Sequence, residues 1–117
     1  MNEYRELLRT MSRLPGVRGA LVGTLAEGLV VDSELMIGVE GEPVAAFTAS
    51  LLRRTGRTLR AGELGSTDFV QVEAHGGYLF VATPGGGSDL FLTVIADPSV
   101  SPGIVRVEMR RGVEVLS

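Results

Sequence analysis

Between Phe69 and Asp97 the chain reads FVQVEAHGGYLFVATPGGGSDLFLTVIAD. These are three β-type segments cut by two glycine-rich reversals, a spacing that commits the region to antiparallel strands. Phe69 to Ala74 alternates Val70, Val72 and Ala74 with Phe69, Gln71 and Glu73, the period of two expected where one face of a strand is buried. His75-Gly76-Gly77 follows, and glycine tolerates the positive φ of a tight reversal. Tyr78 to Thr83 returns. Pro84 to Asp89, with Gly85, Gly86 and Gly87 at its centre, makes a looser second turn. Leu90 to Ala96 (LFLTVIA) is apolar almost throughout, as a strand buried on both faces must be, which predicts the middle of a sheet.

The remaining segments supply two more strands and three helices. Asn2 is a suitable N-cap, Glu3 and Glu6 suit a first helical turn, and Tyr4, Leu7, Leu8, Met11 and Leu14 recur at helical spacing before Pro15-Gly16. Val17 to Val22 and Leu29 to Leu35 are β-rich and flank GTLAEG, so they predict a hairpin. Glu42-Pro43 opens a second helix, expected to run to about Arg54 and to stop at Gly56. Its apolar stripe, Val44, Phe47, Thr48, Leu51 and Leu52, is expected to cover the sheet. Ala46, Ala49, Ser50 and Arg53 form the opposite face, whose small residues would let another backbone approach closely. Thr58 to Asp68 is a connector. At the C-terminus Ser101-Pro102 resembles a cap and first turn, and six of the seven apolar residues from Ile104 to Leu116 share one half of a helical wheel, so this segment is read as a helix. The expected order is α-β-β-α-β-β-β-α, an α+β domain spanning residues 1–117 with a five-stranded antiparallel sheet and helices on its faces.

Composition narrows the function more by exclusion than by assignment. The 117 residues contain no cysteine, which excludes disulfides, thiolate metal sites and a cysteine nucleophile and fits a reducing cytoplasm. No apolar run nears the ~20 residues of a membrane span. A net charge of −3 argues against nucleic acid as the partner. His75 lies in a turn with no adjacent acid or nucleophile, and no catalytic set is evident. Asp32 and Glu34 project from one face of a strand, but no third oxygen-rich cluster accompanies them and a metal site is not expected. Gly85 to Gly87 lacks the following helix and the lysine of a phosphate-binding loop, so the chain alone is not expected to bind nucleotide. No cofactor is expected.

Two features point to protein partners. Phe69, Val70, Gln71 and Val72 begin a strand expected at the sheet edge, with no proline or lysine to discourage pairing. Two-fold pairing of that edge would also bring Ala46, Ala49 and Ser50 of two copies together. All eleven basic residues are arginine, and Arg53, Arg54 and Arg57 at the end of the second helix would be doubled into a basic patch by such a dimer.

LPGVRGALVGTLAEGLVVDS, the helical VAAFTASLL, the hairpin VEAHGGYLFVATP with LFLTVIAD, and the closing GIVRVEMRRGVEVL together resemble the roadblock (dynein light chain) family along nearly the whole chain. The chain departs from the usual pattern at Glu27, where Asp or Asn is commoner, and in the short stretch Met36 to Gly41. The resemblance implies a non-catalytic, dimer-forming domain of the bacterial or archaeal type. It further implies a small Ras-like GTPase as the partner that the domain regulates or anchors, and the sequence's own arginine cluster, Arg53, Arg54 and Arg57, is where that partner is expected to bind. A PAS-like sensor shares much of this element order but would need a ligand cavity between sheet and helices, and a purely structural scaffold subunit is a further alternative.

Overall fold

The computed structural model describes residues 3–117; the expected N-cap, Asn2, lies outside them. Helix α1 (Glu3–Ser12) leads into the hairpin of β1 (Val17–Thr24) and β2 (Val30–Leu35). Helix α2 (Gly41–Ala61) follows, then β3 (Phe69–Ala74), β4 (Gly77–Ala82), β5 (Leu90–Ala96), α3 (Pro102–Gly112) and a closing 3-10 turn, Val113–Leu116. The strands form one antiparallel sheet in the order β2-β1-β5-β4-β3. The apolar β5 is therefore central, and β3 is an edge.

Alternation along the strands builds two cores. Ala20 and Val22 of β1, Phe80 of β4 and Leu92 and Val94 of β5 face α1, α3 and the 3-10 turn. Leu21, Val81 and Phe91 face α2, which contributes Ala45, Ala49 and Leu52. The ring of Phe91 lies over Gly23, where an added Cβ would stand 2.6 Å from it. A close helix-to-sheet approach is set at the β1–β2 turn as well, because a Cβ at Gly28 would fall 3.0 Å from the Ala46 Cα. On the other face, Arg5 of α1 bridges to Asp32 at 3.1 Å and lies 3.9 Å from Glu34. Those two carboxylates thus brace α1 against β2, a half-exposed contact worth about 0–1 kcal/mol.

Helix α2 departs from expectation in length and in orientation. It runs through Gly56 to Ala61 and ends at Gly62, whose N–H turns back to the helix carbonyls, followed by Glu63 with φ of 60°. Gly56 is buried, and the packing of Ala45, Ala49 and Leu52 of the same helix on the sheet offsets the roughly 1 kcal/mol that glycine costs within a helix. The buried side of α2 carries Ala45, Thr48, Ala49, Leu52 and Gly56, whereas Phe47 is 75% exposed and Val44 and Leu51 are only half-buried. Small residues face the sheet because Phe91 and Leu21 already occupy the space beneath the helix. The large residues are displaced to its flank.

Thr93, at the middle of β5 between Leu21 and Val81, is fully buried, and its Oγ1 has no hydrogen-bond partner among the described residues. A desolvated, unpaired hydroxyl costs about 1–3 kcal/mol. Thr93→Val, which keeps the side-chain shape, should therefore raise the unfolding free energy by about 1 kcal/mol in a urea titration. A loss of that size would mean the hydroxyl is hydrogen-bonded in solution.

Candidate functional site

Two surfaces of α2 differ in chemistry. On one flank, Val44, Phe47, Thr48 and Leu51 line an open groove of about 310 Å³ whose far wall is Leu79 of β4. The adjacent edge strand continues this apolar surface: Val70 and Val72 pair with Val81 and Leu79 and so share the α2 face of the sheet. Val70 packs partly against the core there, while Val72 is 39% exposed. Among the described residues nothing covers this shoulder, and β3 pairs only with β4. An apolar surface bounded by a free strand edge is the composition of a docking face.

The opposite flank is cationic. Arg53, Arg57 and Arg60, spaced four and three residues apart, fall on one side of the helix and line a cleft whose other wall is Gly85, Gly86 and Gly87. Arg53 reaches the β1–β2 turn and donates from Nη1 to the Leu25 carbonyl at 2.6 Å. Arg54 is exposed and does not line the cleft. Among the described residues no acidic side chain forms an ion pair with any of these four arginines.

The residues expected from sequence to make a dimer contact divide accordingly. Ala49 is fully buried inside the protomer and cannot meet a second copy, a correction that follows from the orientation of α2. Ala46 is exposed but close to Gly28, and Ser50 is half-buried. Phe69 turns to the other face of the sheet, where the guanidinium carbons of Arg106 and Arg110 each stand 5.3 Å from its ring centroid. Gln71 is exposed on that same face, opposite Phe80. Val70 and Val72 belong to the apolar shoulder. Sequence reasoning missed Phe47, Leu51 and Leu79 as surface residues. It also missed Arg60 as a partner of the glycine loop, although its spacing from Arg53 and Arg57 carried the signal.

His75 stands exposed in the turn between β3 and β4. Among the described residues, no group of three His, Asp or Glu side chains is placed to hold a metal ion. No described helix is long and apolar enough to cross a membrane.

Comparison with known proteins places this arrangement. Residues 3–96 match the family model of the Roadblock/LC7 domain. The chain is 27% identical over 108 residues to an uncharacterised protein of Methanocaldococcus jannaschii, covering 92% of this chain and 91% of the relative. Its fold is similar to the crystal structure of a Roadblock/LC7 domain from Streptomyces avermitilis, with a TM-score of 0.82, 24% identity and coverage of 94% and 91%. It is also similar to the gliding protein MglB of Thermus thermophilus, with a TM-score of 0.85, 19% identity and coverage of 97% and 85%.

Proposed function

The chain belongs to the Roadblock/LC7 domain family, and from that premise we propose that it is a non-catalytic, homodimeric module that binds a small Ras-like GTPase and regulates or anchors it in the cytoplasm. Residues 1–117 act as one such domain. The observation that carries the self-association is the uncovered apolar shoulder of Phe47, Leu51, Leu79 and Val72 beside the free β3 edge. A two-fold axis at that edge pairs β3 with its copy, so that Phe69 to Val72 contribute backbone, and it lays the Phe47 flank of each α2 over the shoulder of the other protomer. Ala46 and Ser50 lie beside this contact. Ala49 stays in the core of each protomer.

The GTPase is bound by the layer that the two α2 helices then form. Arg54 and Arg57 are exposed on it, and Arg53 is held by the Leu25 carbonyl. Doubling these cations by symmetry gives a basic surface on a protein of net charge −3, which speeds encounter with an acidic partner and makes binding sensitive to salt. Arg53, Arg54 and Arg57 changed together to glutamate should weaken binding of the GTPase by at least about tenfold at low salt, with the dimer mass unchanged. Because Arg53 also secures the β1–β2 turn, Arg54→Glu with Arg57→Glu is measured alongside. Binding as tight as wild type in both variants would move the partner to another face.

A further inference from the structure

We propose that the cleft between the second half of α2 and the β4–β5 loop is a binding site for a small phosphate-bearing molecule. Gly85 to Gly87 alone are not a phosphate cradle, since no helix follows them. The fold changes their setting, for it brings Arg53, Arg57 and Arg60, distant in sequence, to face that loop across a cleft of about 380 Å³. This volume falls in the range of small-ligand sites, roughly 300–1,000 Å³.

Four observations give the cleft its chemistry. First, its lining holds three arginines and no acid, and among the described residues those arginines make no ion pair. Like charges one helical turn apart repel each other. In a chain with fourteen acids and eleven arginines, leaving three uncompensated cations on one wall favours an anion between them. Second, Gly85, Gly86 and Gly87 have φ of 77°, 64° and 81°, and a Cβ at any of them would meet nothing within 4 Å. A ligand can therefore approach the backbone itself.

Third, the loop is held while its tip remains open. Ser88 N–H returns to the Gly85 carbonyl at 3.3 Å, and Ser88 Oγ donates to the Leu116 carbonyl and accepts from Leu90 N–H. The amides of Gly86 and Gly87 have no partner among the described residues. Fourth, hydroxyls line the rest of the cleft at Ser66, Thr67, Thr83 and Ser88. Thr83 and Ser88 give their hydroxyl protons to the Thr67 and Leu116 carbonyls, and Thr67 Oγ1 is shut from solvent, so of these hydroxyls the exposed Ser66 is the donor open to a ligand. Guanidinium forks and free backbone amides are the donor set that phosphate oxygens take. The inference does not rest on a GTPase partner, and it departs from the sequence expectation that the chain binds no nucleotide.

Isothermal titration of the full chain at low salt with inorganic phosphate, pyrophosphate, ATP and GTP tests this, with Arg57→Gln and Arg60→Gln combined as the variant. Both arginines are exposed, so far-UV circular dichroism of the variant should match wild type. The expected result is saturable binding of pyrophosphate or of a nucleotide with Kd below about 1 mM, weakened at least tenfold in the double variant and by added salt. Pyrophosphate and nucleotides binding alike would assign recognition to the phosphates alone. A nucleotide binding tenfold more tightly than pyrophosphate would add a base or sugar contact. No saturable binding of any of the four up to about 10 mM, or equal binding by wild type and the double variant, would overturn the proposal.

Discussion

Gly77→Ala should remove most of the stability of the fold, lowering the unfolding free energy by about 4 kcal/mol or more. Gly77 opens β4 with φ of 147°, a conformation that L-residues rarely adopt. A Cβ built there would stand 2.1 Å from the Ala96 carbonyl oxygen and 3.1 Å from its carbonyl carbon. The obstruction is backbone of the central strand, which cannot turn aside as a flexible side chain can. Relief requires either unpairing the start of β4 or moving β5, and β5 carries Phe91, Leu92 and Val94, all at 0% exposure. Against a typical total of about 5–15 kcal/mol, such a loss leaves little of the native state. The neighbouring Gly76→Ala is the control, because a Cβ there meets nothing within 4 Å and Gly76 has no positive φ. It should change stability by no more than about 0.5 kcal/mol. Urea unfolding of both variants measures the contrast, and equal midpoints would refute the close approach of β4 to β5.

That contact was half legible in the sequence. The pair Gly76-Gly77 marked a reversal, but which glycine was irreplaceable depended on the strand beyond it, a tertiary fact. The same division runs through the fold. LFLTVIA identified β5 as central because a strand apolar almost throughout must be covered on both faces, and Ser101-Pro102 identified the start of α3 against its β-branched residues. Helix α2 was misread because periodicity shows an apolar stripe but does not decide which of two neighbouring rows meets the sheet. The choice was made by volume: Gly23 and Gly28, remote in sequence, let the sheet and the β1–β2 turn come close, so Ala45 and Ala49 turn inward and Phe47 is left outside. The helix likewise passes Gly56 because the packing of Ala45, Ala49 and Leu52 on the sheet outweighs the local propensity. The cationic cleft was invisible for a related reason. Arg53, Arg57 and Arg60 lie some thirty residues before Gly85 to Gly87, and no local pattern joins them.

The largest effect on assembly is expected from Phe47→Glu. Phe47 is 75% exposed in the protomer, so glutamate there removes little from the core, and the isolated fold should keep its secondary structure and its amide exchange pattern away from the interface. In the proposed dimer the same ring would be buried against the Leu79 and Val72 shoulder of the second copy. A central aromatic anchor of this kind typically contributes 2 kcal/mol or more to binding, and a buried carboxylate without a partner adds a desolvation cost of its own. The dissociation constant should rise at least about a thousandfold, which corresponds to about 4 kcal/mol. This variant is a sharper probe than a substitution at Ala49, whose side chain lies in the protomer core and whose replacement by glutamate would unfold the chain before reporting on assembly.

Sedimentation velocity of wild type and Phe47→Glu at micromolar concentration tests the central claim most directly, since in the proposed assembly closure of the apolar shoulder builds the GTPase-binding layer. Wild type should sediment at twice the 12.4 kDa of one chain, and Phe47→Glu at the mass of a single chain with an unchanged far-UV spectrum. A wild-type protein that is monomeric at these concentrations, or a Phe47→Glu variant that remains as dimeric as wild type, would contradict the account.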